Sequence, residues 1–159
     1  MSTSTSPTSS SSTDRIEKTM VLRAPRSKVW RALTTSAQFG EWFGAKLSEP
    51  FTPGRRARGP FTIPGHTHLT FEITVEQMEP ERLFSWRWQP GGDQDVHPAD
   101  PTTLVVFELE EVPEGTRLTV TETGFDRIPV DRRAKMYRDN DKGWTGQFDN
   151  LRKFVASAA

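Results

Sequence analysis

The chain has 159 residues and no cysteine, and its 21 basic and 21 acidic side chains cancel to a formal net charge of +0. That length suits one domain that needs no metal or disulfide to hold it together, and the missing thiols exclude a disulfide framework, thiolate catalysis and cysteine-ligated metal centres. The balanced charge, with no block of about five or six like charges, leaves no nucleic-acid footprint, and no apolar run nears the ~20 residues that cross a bilayer, so no membrane insertion is expected.

Residues 1–14, MSTSTSPTSSSSTD, hold no large apolar side chain beyond the first methionine. Such a segment buries too little surface to offset its ordering entropy and is read as a disordered tail. It lacks the basic start and apolar core of a secretory signal, which makes a cytoplasmic location the expectation. Residues 15–159 are then a single folded domain.

The domain opens with RIEKTMVLRA, whose Ile16, Met20 and Leu22 alternate with Glu17 and Thr19 as in a half-buried strand. Pro25 marks a helix start, and RSKVWRALT carries Val29, Trp30 and Leu33 at helical spacing. Ser36 is placed to cap a second short helix, AQFGEWF, which ends at Gly44. From Lys46 to Pro64, prolines and glycines punctuate short strands near Phe51 and from Arg56 to Ile63. The basic run RRAR at 55–58 falls there and is read as a solvated strand face.

Four clearer strands follow. HLTFEITVEQM sets Leu69, Phe71, Ile73 and Val75 against Thr70, Glu72, Thr74 and Glu76, and RLFSWRWQ puts Phe84, Trp86 and Trp88 on one face. TTLVVFELEEV groups Val105, Phe107 and Leu109, and after a Pro-Glu-Gly turn RLTVTET places Glu122 on the face of Leu118 and Val120. Their spacing makes an antiparallel meander. The last stretch, DRRAKMYRDNDKGWTGQFDNLRKFVAS, is a long amphipathic helix with Ala134, Tyr137, Trp144, Phe148, Leu151 and Val155 on one stripe. Asp141 falls on the same arc, and Gly143 and Gly146 lie inside the helix at a cost of roughly 1 kcal/mol each, which points to a close approach to the backbone or a need for room there.

Strand, two short helices, further strands and one long helix add up to an α+β architecture, with an antiparallel sheet of six or seven strands and its helices on one side. The stretches LRAPRSKVWRALTTSAQFGEWFG, FEITVEQMEPERLFSWRW, VFELEEVPEGTRLTVTETGF and KGWTGQFDNLRKFV occur in an order that resembles the START-like, or helix-grip, superfamily (SRPBCC) over residues 15–156. Within it the chain is most similar to bacterial homologues of the activator of the heat-shock-protein-90 ATPase, whose relatives include polyketide cyclases and the birch-pollen-allergen group. The resemblance implies a curved sheet gripping the long C-terminal helix around a cavity that commonly holds an apolar or amphipathic small molecule. It carries no shared catalytic set. The recurrent positions present here, among them Pro25, Trp30, Gly44, Pro80, Gly115, Gly143 and Trp144, read mostly as structural. The chain departs from the pattern at PGHTH and in the long loop QPGGDQDVHPADP.

By pattern the inner-face aromatics either interdigitate into a solid core or line a cleft; with the cavity that the resemblance implies, the expected function is binding of a small hydrophobic, aromatic or lipid-like molecule between helix and sheet. Trp42, Phe71, Ile73, Trp86, Trp88, Phe107, Trp144 and Phe148 supply contact area, and Glu122, Tyr137 and Asp141 orient the ligand. An enzyme of the cyclase or aromatase type would use Asp141 or Glu122 as general acid or base. A chaperone cofactor would act through its surface. Arg87 and Arg117 are further groups able to meet a ligand carboxylate. His66 and His68 have the spacing of two metal ligands, but no third is evident unless His97 folds back, so they are read as turn histidines and neither metal nor cofactor is expected. No nucleophile elbow, phosphate loop or catalytic triad spacing occurs.

Overall fold

The computed structural model describes residues 15–89 and 101–157. The tail at 1–14 and most of the long loop, with His97, lie outside the described residues.

Strand β1 (Arg15–Leu22) is followed by helices α1 (Arg26–Thr34) and α2 (Ser36–Phe43), then β2 (Arg56–Pro60), β3 (Thr70–Glu79), β4 (Leu83–Trp88), β5 (Thr103–Val112), β6 (Gly115–Thr123) and helix α3 (Val130–Ser157). The strands form one sheet in the order β1-β6-β5-β4-β3-β2, antiparallel throughout. Strands β3 to β6 are the meander expected from hairpin spacing, and β1 closes onto β6 at the far edge. This is the α+β helix-grip arrangement, a curved sheet with the helices against its inner face. A register shift between Val75 and Gln77 bulges β3 toward its end, which bends the strand and adds to the curvature.

Each turn has a local cause. Gly44 ends α2 in the left-handed region at φ 96°, and the freed chain returns so closely that a Cβ on Gly40 would stand 2.2 Å from the Ala45 carbonyl oxygen. Gly115 closes the β5–β6 hairpin at φ 142° beside the Leu22 carbonyl. Thr116 Oγ1 donates to the Ala24 carbonyl at 2.7 Å and pins the start of α1 to that hairpin. Two stretches differ from the sequence expectation. Phe51 is buried in the core from irregular chain, not from a strand. The strand expected to reach Ile63 ends at Pro60, which has no amide hydrogen to give; Phe61 still donates to the Leu69 carbonyl at 3.1 Å and bridges to Ala45, and regular pairing stops there.

The core lies between the inner sheet face and the helices. Phe71, Ile73, Val75, Phe84, Trp86, Val105, Phe107, Leu118 and Val120 point inward and are fully buried. They meet Val29 and Leu33 of α1, Phe39 and Phe43 of α2, and Trp144, Phe148, Leu151 and Val155 of α3. Most of the helix stripe is as expected, with two exceptions. Ala134 is exposed and Met136 is buried, so the inward face runs Met136, Asn140, Trp144, Phe148, Leu151, Val155 at steps of four and three. Gly143 and Gly146 are exposed, and a Cβ on either would meet nothing within 4 Å. The close approach expected at those glycines is not there; their cost to the helix stands without a packing reason.

Candidate functional site

Inward positions of three strands and one helix converge at the end of the sheet where β4 stops and β5 begins. Trp88 pairs with Thr103 across β4 and β5, and Val105 pairs with Glu122 across β5 and β6. Trp88, Thr103 and Glu122 therefore all project inward at neighbouring positions. Above them α3 lowers Asn140 and Trp144, one helical turn apart.

Glu122 is fully buried, with 0% of its surface exposed. Its carboxylate accepts from Trp144 Nε1 at 2.8 Å on Oε1 and from Trp88 Nε1 at 2.8 Å on Oε2. Thr103 Oγ1 donates to Oε2 at 2.5 Å, and Asn140 Nδ2 sits 3.0 Å from both oxygens. Indole and amide hydrogens can only donate, so the surroundings are built for the lone pairs of a carboxylate. No cation pairs with Glu122 among the described residues. Lys18, two residues along β1 from the partner of Glu122, gives its Nζ to Asp141 at 3.0 Å instead. A carboxylate buried this deeply needs its lone pairs met, and here four neutral side chains meet them without a cation.

Aromatic rings wall this carboxylate. Trp88 and Trp144 lie with centroids 5.9 Å apart and planes at 34°, and Trp86 packs on both at 5.5 and 6.4 Å. Phe43, Phe71 and Phe107 complete the surround. Trp86 Nε1 is buried with no hydrogen-bond partner, an unsatisfied donor that costs about 1–3 kcal/mol. Trp88 and Asn140 remain half-buried, so the site is closest to solvent between them.

Of the residues singled out in the sequence, Trp88, Glu122 and Trp144 are in direct contact, and Trp86, Phe71 and Phe107 stand behind them. Ile73 and Phe148 are buried core positions farther along. Trp42 donates to the Ala32 carbonyl at 2.8 Å and packs on Phe39 and Phe43. Tyr137 and Asp141 turn toward β1: the Tyr137 hydroxyl donates to the Arg15 carbonyl at 3.0 Å, and Asp141 holds Lys18. Arg87 and Arg117 pair with Glu76 and Glu110 on the outer face. His66 and His68 are exposed on a turn, and no group of three metal-ligating side chains occurs among the described residues.

Asn140 and Thr103 were not singled out from sequence. The signal for Asn140 was present: it lies four residues from both Met136 and Trp144, a polar side chain in the apolar stripe. Thr103 likewise shares the inward parity of Val105 and Phe107.

A separate surface cleft of ≈ 500 Å³, lined by Pro25, Arg26, Glu81, Glu111, Pro113 and Glu114 among others, lies at the other end of the sheet. No described helix is long and apolar enough to cross a membrane.

A family model described as "Activator of Hsp90 ATPase homolog 1-like protein" matches residues 23–156. Among solved structures, protein MLL2253 from Mesorhizobium loti is 27% identical, with 91% of this chain and 98% of that chain covered and a TM-score of 0.72. DynU16, a protein in the dynemicin biosynthetic locus, is also 27% identical over 91% of this chain at a TM-score of 0.69, and the match spans 48% of DynU16. A protein from Arthrobacter aurescens reaches a TM-score of 0.75 with 91% and 87% coverage at 17% identity, a likeness of fold alone. No curated protein matches.

Proposed function

Given that the chain belongs to the Activator of Hsp90 ATPase homolog 1-like family, we propose that it binds a small apolar or aromatic molecule between α3 and the sheet, admitted where Trp88 and Asn140 are half-buried. The observation that carries this reading is the Glu122 carboxylate enclosed by indoles, a polar anchor inside an otherwise apolar surround. Ligand sites in general pair a broad apolar wall with a few polar groups that fix orientation. Trp86, Trp88, Trp144, Phe71 and Phe107 are the wall; Glu122, with Asn140 and Thr103, is the polar end.

Rings now fill this space, so entry requires α3 to give way. Gly143 and Gly146 flank Trp144 and weaken the helix where no neighbour demands a glycine. The softness falls one turn beyond Asn140, where opening the helix would expose the indoles.

Acid–base catalysis by Glu122 is the less favoured reading, because N–H and O–H donors already occupy both of its oxygens. Contact with a chaperone, the subject of the family's name, would use the outer surface and leave the buried carboxylate without a purpose.

The reading is tested by thermal denaturation of the full chain against neutral aromatic compounds. A ligand at 100 times its dissociation constant contributes about 2.7 kcal/mol. For a domain of this size that raises Tm by about 5 to 10 °C. A broad aromatic panel that leaves Tm unmoved would count against it.

A further inference from the structure

We infer that the ligand carries an organic cation, an ammonium on an aryl or alkyl body, which takes the place now held by the Asn140 amide. The inference rests on the binding reading above and goes on to name the chemistry of the ligand.

Three observations lead to it. First, Glu122 is a fully buried carboxylate that no cation neutralises among the described residues, and Lys18, two residues along β1 from its register partner Ile16, is committed to Asp141. A cation brought here replaces a neutral donor with an opposite charge, a gain set against the cost of its own desolvation. Second, Asn140 Nδ2 is 3.0 Å from Oε1 and 3.0 Å from Oε2. That bridging position is the one an ammonium takes on a carboxylate, and the amide there is a neutral stand-in on a half-buried side chain. Third, the walls beside that position are indoles: Trp88 and Trp144 at 5.9 Å, with Trp86 behind. Trp88 and Trp144 both turn their N–H edges to Glu122, so they leave the cation to the carboxylate and give the aryl body of a ligand apolar area to pack against.

The arrangement also discriminates. An anionic ligand would meet Glu122 across a dry gap, and a neutral alcohol would gain one hydrogen bond at most in exchange for the amide it displaces. Only a cation both replaces the hydrogen bonds of Asn140 and cancels the buried charge.

The test compares three probes of equal size on the full-length chain: 2-naphthylmethylammonium, 2-naphthylmethanol and 2-naphthoate, with dissociation constants from calorimetry and indole fluorescence. The ammonium is expected to bind at least tenfold more tightly than the alcohol, and the naphthoate not at all. In Glu122→Gln the preference for the ammonium over the alcohol disappears, the two dissociation constants falling within about threefold of each other. Should Glu122→Gln fail to fold, Asn140→Ala serves in its place: removing the competing amide while keeping the charge raises ammonium affinity severalfold. Equal binding of ammonium and alcohol to the wild-type chain overturns the cation and leaves apolar binding intact. Absence of binding by all three overturns both. A tenfold preference that survives in Glu122→Gln, or that Asn140→Ala leaves unchanged, would place the cation elsewhere and defeats the assignment.

Discussion

The two ends of the layer between helices and sheet are built on different principles. At the end near α1 and α2, Phe39 packs against Phe43, Phe51, Phe71 and Trp86 with centroids 4.7–5.5 Å away. Leu33, Phe84 and Val29 fill the remainder, all fully buried. Stability there depends on volume and ring geometry. At the end near Asn140, the same kind of rings surround a carboxylate, and stability depends on whether each donor finds its oxygen. The first end is disturbed chiefly by changing size. The second can be disturbed by exchanging an oxygen for a nitrogen.

Substitutions at each end sharpen that contrast. Phe39→Ala opens a cavity among rings and is expected to lower unfolding free energy by about 3–5 kcal/mol in urea denaturation. Glu122→Gln alters almost no volume yet sets an amide N–H against donors, and a cost of about 2–3 kcal/mol is expected from the hydrogen bonds to a charged group that are lost. The matching volume-preserving change at the other end, Leu33→Met, is expected to cost less than about 1.5 kcal/mol. If Leu33→Met proved as damaging as Glu122→Gln, the distinction between the ends would fail. Gly143→Ala, with open space for its methyl, is expected to stabilise by about 1 kcal/mol and to slow ligand association by stiffening α3. Asp141→Asn breaks only the partly exposed pair with Lys18, so its effect stays below about 1 kcal/mol and vanishes in high salt.

The same contrast decides what the sequence discloses. Strict alternation placed Phe71, Ile73, Val105, Phe107 and Val120 on the inner face, because a two-residue period allows one face per residue and a slip would expose them all. It placed Glu122 on that face too, so the buried carboxylate was legible as a candidate. The donors around it were less so. Asn140 is polar and reads as surface until the phase of α3 is known, and a stripe drawn through Ala134 and Tyr137 sets that phase differently from the buried series, which runs through Met136. Asn140 and Asp141 are about 100° apart and flank the stripe of Trp144 and Phe148 on either side, so a small error of phase exchanges which of them faces inward. Glycine is ambiguous for a different reason. The cost of Gly143 is the same whether a neighbour crowds it or nothing does, whereas Gly40, which has no room for a methyl, shows what a packing reason looks like.

The most direct measurement is the indole region of a ¹⁵N–¹H spectrum, where the five tryptophans each give one Nε1–H signal. Trp88 and Trp144, bonded to Glu122, are expected to lie downfield and to move as the naphthyl ammonium is added, while Trp42, bonded to the Ala32 carbonyl, stays in place. Binding that left the Trp88 and Trp144 signals unmoved would contradict a ligand site at Glu122.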